Sequence, residues 1–274
     1  MVRLAIRVQA AQAEIALAEL LDLAPGGVEE VSLPDGRVEY AVYGAPGELP
    51  ALPAVRAAAG SALVEVTSQE IAEDWAQRWR QFHRPLIIDG RLTVRPPWEP
   101  PGQTPLDLVI EPGQAFGTGS HPTTRLCLEL LLELRPAGPL LDLGCGSGVL
   151  AIAAAKLGWA PVRALDNDPV AVAVTRENAA ANGAVIDVGR ADIRSASPPV
   201  AATVTANLLS PLLLEWAARL EGIQSSRPEH VIASGILTAE ADEVSAAFAA
   251  GGLLESSRRS LGDWSALLLQ RTLR

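Results

Sequence analysis

Lysine, cysteine and long apolar runs are the scarce features of this chain. Lys156 is the only lysine among the 22 basic side chains in 274 residues, a bias of composition to which we attach no function. There are two cysteines, Cys127 in an expected helix and Cys145 in a glycine-rich loop. They exclude a disulfide framework and are too few to build a zinc site alone, so no metal is expected. No uncharged apolar stretch reaches the roughly 18 residues that a membrane-spanning helix needs. Residues 1–20 carry Arg3, Arg7, Glu14 and Glu19 and lack the layout of a secretory signal. The combined reading is a cytoplasmic protein. Positive charge is also short, with a net charge of −10 and a pI near 4.9. Residues 1–68 hold nine acids against four arginines. Nucleic-acid binding draws most of its affinity from Lys and Arg neutralising phosphates. The acidity therefore argues against direct contact with RNA or DNA and suits a basic protein partner, although it would also serve solubility alone.

What is present is enough apolar material, 49% of residues, for one large domain and a small one. Residues 2–8 alternate as a strand, 11–23 carry apolar positions at helical spacing, and Pro25-Gly26-Gly27 ends that helix. Paired strands are expected at 28–33 and 37–43 around Pro34-Asp35-Gly36. A short helix near 50–59 and a strand at 62–67 complete a βαββαβ order, a ferredoxin-like α+β domain over 1–68 whose natural task is recognition. Residues 69–84 read as a linking helix, with Trp75, Trp79 and Phe82 on one packing face, and residues 69–96 as linker and connecting strands. The remainder, 97–274, alternates strands and helices from residue 139 onward, which builds a mostly parallel α/β sheet covered on both faces. Its last two strands meet at Leu261-Gly262-Asp263 with no helix between them, so the final strand runs antiparallel.

The segment Leu140-Leu141-Asp142-Leu143-Gly144-Cys145-Gly146-Ser147-Gly148 is the most informative. An apolar strand stops at three alternating glycines and a helix follows at once. Glycines permit positive φ and close backbone approach, and a helix N-terminus favours anions and carboxylates. Asp142 beside the loop would repel a phosphate but suits a cationic ligand. Eighteen residues after Gly148, Asp166 ends the next apolar run, where a carboxylate can accept hydrogen bonds from ribose hydroxyls. Two cofactors compete for such a site. Gly146-Ser147-Gly148-Val149-Leu150-Ala151 formally fits the dinucleotide fingerprint of NAD-dependent dehydrogenases. The fuller pattern, an acid followed by glycines at 144, 146 and 148, resembles the first motif of class I S-adenosylmethionine-dependent methyltransferases.

A second signature lies upstream, Glu111-Pro112-Gly113-Gln114-Ala115-Phe116-Gly117-Thr118-Gly119-Ser120-His121-Pro122-Thr123-Thr124. With Glu73-Asp74-Trp75 and Ala206-Asn207-Leu208, it resembles the bacterial methyltransferases of large-subunit ribosomal protein L11, from about residue 70 to the C-terminus. That resemblance implies a substrate-recognition domain, a linker helix and a seven-stranded Rossmann-like methyltransferase domain. It also implies methylation of lysine side-chain amines and of the N-terminal α-amine of free ribosomal protein L11. Carried over by position, Thr124, Gly144, Asp166 and Asn207 form the S-adenosylmethionine site, together with Phe116, Gly117, Asp142, Gly146 and Gly148. Asp192, after the third strand, falls where the adenine is met.

Asn207 is the expected catalytic residue. Amine methyltransferases often carry an Asn/Asp-Pro-Pro-aromatic motif at this strand end, and the sequence here is Asn207-Leu208-Leu209-Ser210-Pro211, without the adjacent prolines or the aromatic. His121 reads either as a proton relay or as the start of the helix before Pro122. A lysine amine has a reference pKa near 10.4, so the enzyme must bind or generate its neutral form and align it with the methyl donor. A ribosomal-RNA methyltransferase, an NAD-dependent dehydrogenase and a non-catalytic cofactor-binding scaffold are the rival readings at this point.

Overall fold

In the computed structural model the described residues are 2–13, 16, 17, 20, 28–33, 35–44, 49, 50, 52–70, 84–112, 121–194, 201–220 and 227–272. They divide into two compact units, one from residues 1–82 and one from residues 83–112 and 116–274. Phe116 and Gly117, the aromatic stripe Trp75, Trp79 and Phe82, and the Glu73-Asp74-Trp75 motif lie outside the described residues.

The first unit is the expected ferredoxin-like sheet. Strands β1 (Val2–Gln9), β2 (Glu29–Ser32), β3 (Arg37–Gly44) and β4 (Leu63–Glu70) pair antiparallel in the order β2-β3-β1-β4. Alternation decides which side is buried. Leu4, Ile6 and Val8 of β1 stand opposite Val42, Tyr40 and Val38 of β3. They form the core with Val55 and Ala59 of helix α1 (Leu52–Ala59) and with Ala13, Ala16 and Leu20. The Tyr40 hydroxyl donates to the Ala13 carbonyl at 2.9 Å. On the alternate positions Arg3 and Arg7 both bind Glu39, and Arg7 also binds Glu65 at 2.6 Å. One expectation is corrected here. Periodicity starts the linking helix at residue 69, but Gln69 and Glu70 belong to β4, because β1 offers them partners at Arg3↔Gln69 and Val2↔Glu70.

In the second unit a seven-stranded sheet is built from β8 (Leu140–Leu143), β9 (Val162–Asp166), β10 (Asp187–Arg190), β11 (Thr203–Asn207), β12 (His230–Leu237), β13 (Leu253–Leu261) and β14 (Trp264–Arg271). The order is β10-β9-β8-β11-β12-β14-β13. The pairs β9–β10, β8–β9, β8–β11 and β11–β12 are parallel, and β14 runs antiparallel between β12 and β13. Helices α2 (Pro122–Glu133), α3 (Val149–Leu157) and α4 (Pro169–Ala181) contribute to the core on one face. Helices α5 (Ser210–Leu220) and α6 (Ala241–Ala250) contribute to the core on the other. Every side chain of β8 is buried, as expected for a central parallel strand covered on both sides. A small sheet of β5 (Leu86–Ile88), β6 (Leu92–Arg95) and β7 (Leu106–Val109) packs Ile88, Leu92, Val94 and Leu108 into the first face. The β6–β7 pairing spans residue 96, which places the strands at 86–95 with this unit.

This order fixes where a ligand can sit. From β8 the chain steps outward to β9 and β10, then crosses to β11 on the other side, so β8 and β11 flank the switch point of the sheet. Open α/β sheets bind ligands at the carboxyl ends of the strands there. None of the described helices is long and apolar enough to cross a membrane. The second face is anchored by an edge-on contact between Trp216 and Phe248, with ring centroids 5.4 Å apart and Phe248 wholly buried. Phe248→Ala should therefore cost about 3–5 kcal/mol in denaturant unfolding of the intact chain. A loss below about 1 kcal/mol would show that the site collapses without strain.

Candidate active site

The glycine loop is shaped by three residues with left-handed backbones, Gly144 (φ 70°), Gly146 (φ 52°) and Gly148 (φ 81°). Space, as well as φ, requires glycine at two of them. A Cβ on Gly144 would stand 2.3 Å from Leu208 Cδ2, and one on Gly148 2.7 Å from Thr175 Cγ2. The amides of Gly144 and Cys145 donate to the Leu165 carbonyl at 2.8 and 3.1 Å, which seats the loop over the end of β9. The Gly146 amide donates to Asp166 Oδ2 at 2.9 Å, and the Asp168 amide to Asp166 Oδ1 at 3.0 Å. Asp166 is thus fixed at the strand end beside the loop and remains half-buried.

Asp142 has a different task from the one its position in the sequence suggests. Its side chain is wholly buried. Oδ2 accepts from the Ala151 amide at 3.2 Å and Oδ1 from the Thr205 hydroxyl at 2.7 Å. The carboxylate points into the fold, where it satisfies an amide in the first turn of α3. Burial pushes its pKa up to about 7, against the two hydrogen bonds, which favour the charged form.

Across the switch point, Asn207 ends β11 and is half-buried. Its Nδ2 lies 3.2 Å from Thr123 Oγ1 and 3.5 Å from Thr124 Oγ1, both on the buried first turn of α2. Thr123 Oγ1 is in turn 2.8 Å from His121 Nδ1. His121 is the N-cap of α2, its Nδ1 accepting from the Thr123 amide at 3.4 Å. Its ring meets Trp264 edge-on at 5.1 Å, and burial lowers its pKa, so the neutral imidazole caps the helix. An acceptor at Nδ1 lets the Thr123 hydroxyl donate to the ring while receiving from Asn207. Asn207 Nδ2, Thr123 and His121 form one hydrogen-bonded chain, which commits Nδ2 to α2. Asp192 is half-buried in the turn after β10. Its Oδ1 accepts from the Arg194 amide at 2.9 Å, and the Arg194 guanidinium holds the carboxyl below its ordinary pKa.

Against this geometry stand the known proteins. A family model described as "Ribosomal protein L11 methyltransferase (PrmA)" matches residues 51–272. The chain belongs to the ribosomal protein L11 methyltransferase family. A ribosomal protein L11 methyltransferase of Geobacter metallireducens is 46% identical over 200 residues, covering 72% of this chain and 66% of that protein. One of Chloroflexus aurantiacus is 42% identical over 229 residues, covering 73% and 69%. The crystal structure of a ribosomal protein L11 methylase from Lactobacillus delbrueckii subsp. bulgaricus superposes with a TM-score of 0.61 at 27% identity, covering 70% of this chain and all of that one. In five of the curated relatives the match takes in 64–66% of their own length, just under two-thirds.

For this member of the L11 methyltransferase family, several residues that shape the site were not singled out from the sequence. Gly235 (φ 83°) lies in a bulge of β12, and a Cβ there would stand 2.4 Å from the Leu208 carbonyl oxygen. The Leu208 amide donates to the Ser234 carbonyl at 2.9 Å. Leu208 is therefore seated between Gly144 and Gly235, and that seat sets the path of the backbone next to Asn207. A glycine inside the strand pattern Val231–Leu237 is the signal that could have flagged it. Asn178 of α4 is buried. Its Nδ2 donates to the Ser147 carbonyl at 2.9 Å while its Oδ1 accepts from the Glu111 amide at 3.1 Å. It ties the glycine loop to the start of the upstream signature. Arg219 donates to the carbonyls of Ile193 and Arg194, holding the turn that carries Asp192. Cys127 and Cys145 are free and buried, and burial pushes both thiols up to about 12, so neither is a nucleophile at neutral pH.

The buried carboxyl has a measurable consequence. Between about pH 4, where an unfolded aspartate ionises, and about 7, the folded chain holds a proton at Asp142 that the unfolded chain has lost. Stability then falls as pH rises through this window and the contribution levels off above it. Asp142→Asn removes that slope. The difference in unfolding free energy between variant and wild type should move in the variant's favour from pH 4 to 7 and stay flat above. Parallel stability curves would show that Asp142 is ionised throughout.

Proposed function

We propose that this chain transfers methyl groups from S-adenosylmethionine to amines of ribosomal protein L11, on lysine side chains and at the N-terminus, and that it acts in the cytoplasm on the free protein. Family membership sets the reaction class. The observation that carries the assignment to particular residues is the placement of Asn207 at the carboxyl end of β11, beside the glycine loop, with its amide nitrogen committed to α2.

The residues present fit the proposed cofactor. Asp166 is a half-buried carboxylate at the end of β9, a position suited to accepting hydrogen bonds from ribose hydroxyls. The turn at Asp192 and Ile193 offers an acid and an apolar side chain to the adenine. Gly144, Gly146 and Gly148 supply the close backbone approach, and Thr124, wholly buried at the first turn of α2, backs Asn207. When bound, S-adenosylmethionine supplies an electrophilic methyl on a positively charged sulfur.

The protein's part is to present a neutral amine in line with that methyl. An amine with a reference pKa near 10.4 is mostly protonated at neutral pH. A desolvated position beside Asn207 lowers that value, and the proton leaves to solvent. With Nδ2 held by the Thr123 and Thr124 hydroxyls, Asn207 Oδ1 is left to accept a hydrogen bond from the amine and orient its lone pair. Alignment of this kind supplies much of the rate acceleration. The acidic front unit, with its ferredoxin-like sheet, suits recognition of a basic ribosomal protein.

The test is methyl transfer to free ribosomal proteins and ribosomal RNA offered together, resolved by mass. Ribosomal protein L11 should gain multiples of about fourteen mass units while RNA stays unlabelled. Asn207→Ala should lower turnover about 100-fold, the scale of a misaligned reactant. Label in RNA would overturn the acceptor, and full turnover by Asn207→Ala would overturn the role of the amide.

A further inference from the structure

Leu209 departs from two local preferences at once. It directly precedes α5, and its carbonyl accepts the first bonds of that helix, from the amides of Leu212 at 3.0 Å and Leu213 at 3.2 Å. That makes it the N-cap residue, a position where Ser, Thr, Asp and Asn are strongly preferred because their side chains satisfy a free helix amide, and where Leu ranks among the worst choices. Nor is the side chain compensated by burial, being 61% exposed.

Mobility does not account for the exposure, because the backbone on either side is fixed. Leu208 is seated between Gly144 and Gly235 and its amide bonds Ser234. Ser210 is buried and its hydroxyl bonds Glu240. A rigid loop therefore presents one large apolar side chain to solvent, two residues from Asn207. Where a local rule is broken without a structural gain, function is the expected reason.

We infer that Leu209 is a specificity-determining residue that packs against the methylene stem of the acceptor lysine. This rests on the proposed amine methylation at Asn207 and names the part of the acceptor recognised there. A lysine side chain combines four apolar methylenes with a polar tip. The tip belongs at the Asn207 amide, and the stem needs an apolar wall beside it. No aromatic residue occurs between Asn207 and Pro211 to supply one, and Leu209 is the exposed apolar group at that place. The α-amine of a chain terminus has no such stem, so Leu209 should discriminate between the two kinds of acceptor.

Site-resolved initial rates on intact ribosomal protein L11 test this, with Leu209→Ser and Leu209→Met beside the wild type. Serine is the better cap, so Leu209→Ser should keep or raise the thermal midpoint and bind S-adenosylmethionine as the wild type does. Its KM at lysine sites should rise about tenfold, the scale of one lost apolar contact, with kcat within about twofold. The N-terminal amine should be little affected, and Leu209→Met should restore the lysine KM. Wild-type kinetics for Leu209→Ser would overturn the inference, as would an equal loss at lysine and α-amine sites. Absence of transfer to ribosomal protein L11 by the wild type would instead overturn the reading on which it rests.

Discussion

The Asp142 carboxylate accepts from the Ala151 amide and the Thr205 hydroxyl, and through those two bonds β8, α3 and β11 are held to one another beneath the glycine loop. Each partner does more than satisfy an oxygen. Ala151 lies in the first turn of α3, whose amides lack partners within the helix. Thr205 lies two residues before Asn207 on the strand that completes the switch point. Burying a carboxylate that far from water is costly, which is why its pKa is driven up to about 7. The fold bears that cost at the one position where loop, helix and strand must keep a common register.

Close backbone approach then carries the constraint outward. The Leu208 backbone packs onto Gly235 only because that residue has no Cβ, so the path of the chain after Asn207 is set by a glycine distant in sequence. Gly148 does the same against Thr175, whose hydroxyl donates to the Gly146 carbonyl at 2.9 Å. Asn178 links the Ser147 carbonyl to the Glu111 amide. What results is a site whose polar groups are positioned from behind, by buried hydrogen bonds, with the Asn207 amide, the Asp166 carboxylate and the Leu209 side chain left at the carboxyl edge of the sheet. Preorganisation of this kind is what a transfer reaction without a covalent intermediate requires.

Much of this was legible in the sequence. The seven strands of the second unit, its antiparallel final pair and the four strands of the front unit follow from periodicity and turn residues, and the glycine loop falls where the alternating glycines place it. The role of Asp142 was not legible. In a strand buried on both faces the hydrophobic pattern is nearly continuous, so sequence cannot say whether the one acid points toward a ligand or into the fold. The cofactor choice therefore rests on family membership, because Asp166 would serve the ribose of either candidate. The roles of Gly235 and Asn178 are not legible in the sequence because each acts on a partner remote in the chain. The extension of β4 through Glu70 is not legible either, because pairing with β1, and not local propensity, sets its end. The absence of the Asn-Pro-Pro-aromatic motif was visible, but Leu209 as its consequence emerged only once its exposure and capping position were known.

The proposed role of the glycine loop and of Asp166 is to hold a nucleoside joined to methionine in preference to a dinucleotide. Calorimetric titration of the purified chain with S-adenosylmethionine, and in parallel with NADH, tests this directly. Saturable one-to-one binding of S-adenosylmethionine with no heat from NADH is the predicted result. Saturable binding of NADH with none of S-adenosylmethionine would contradict it.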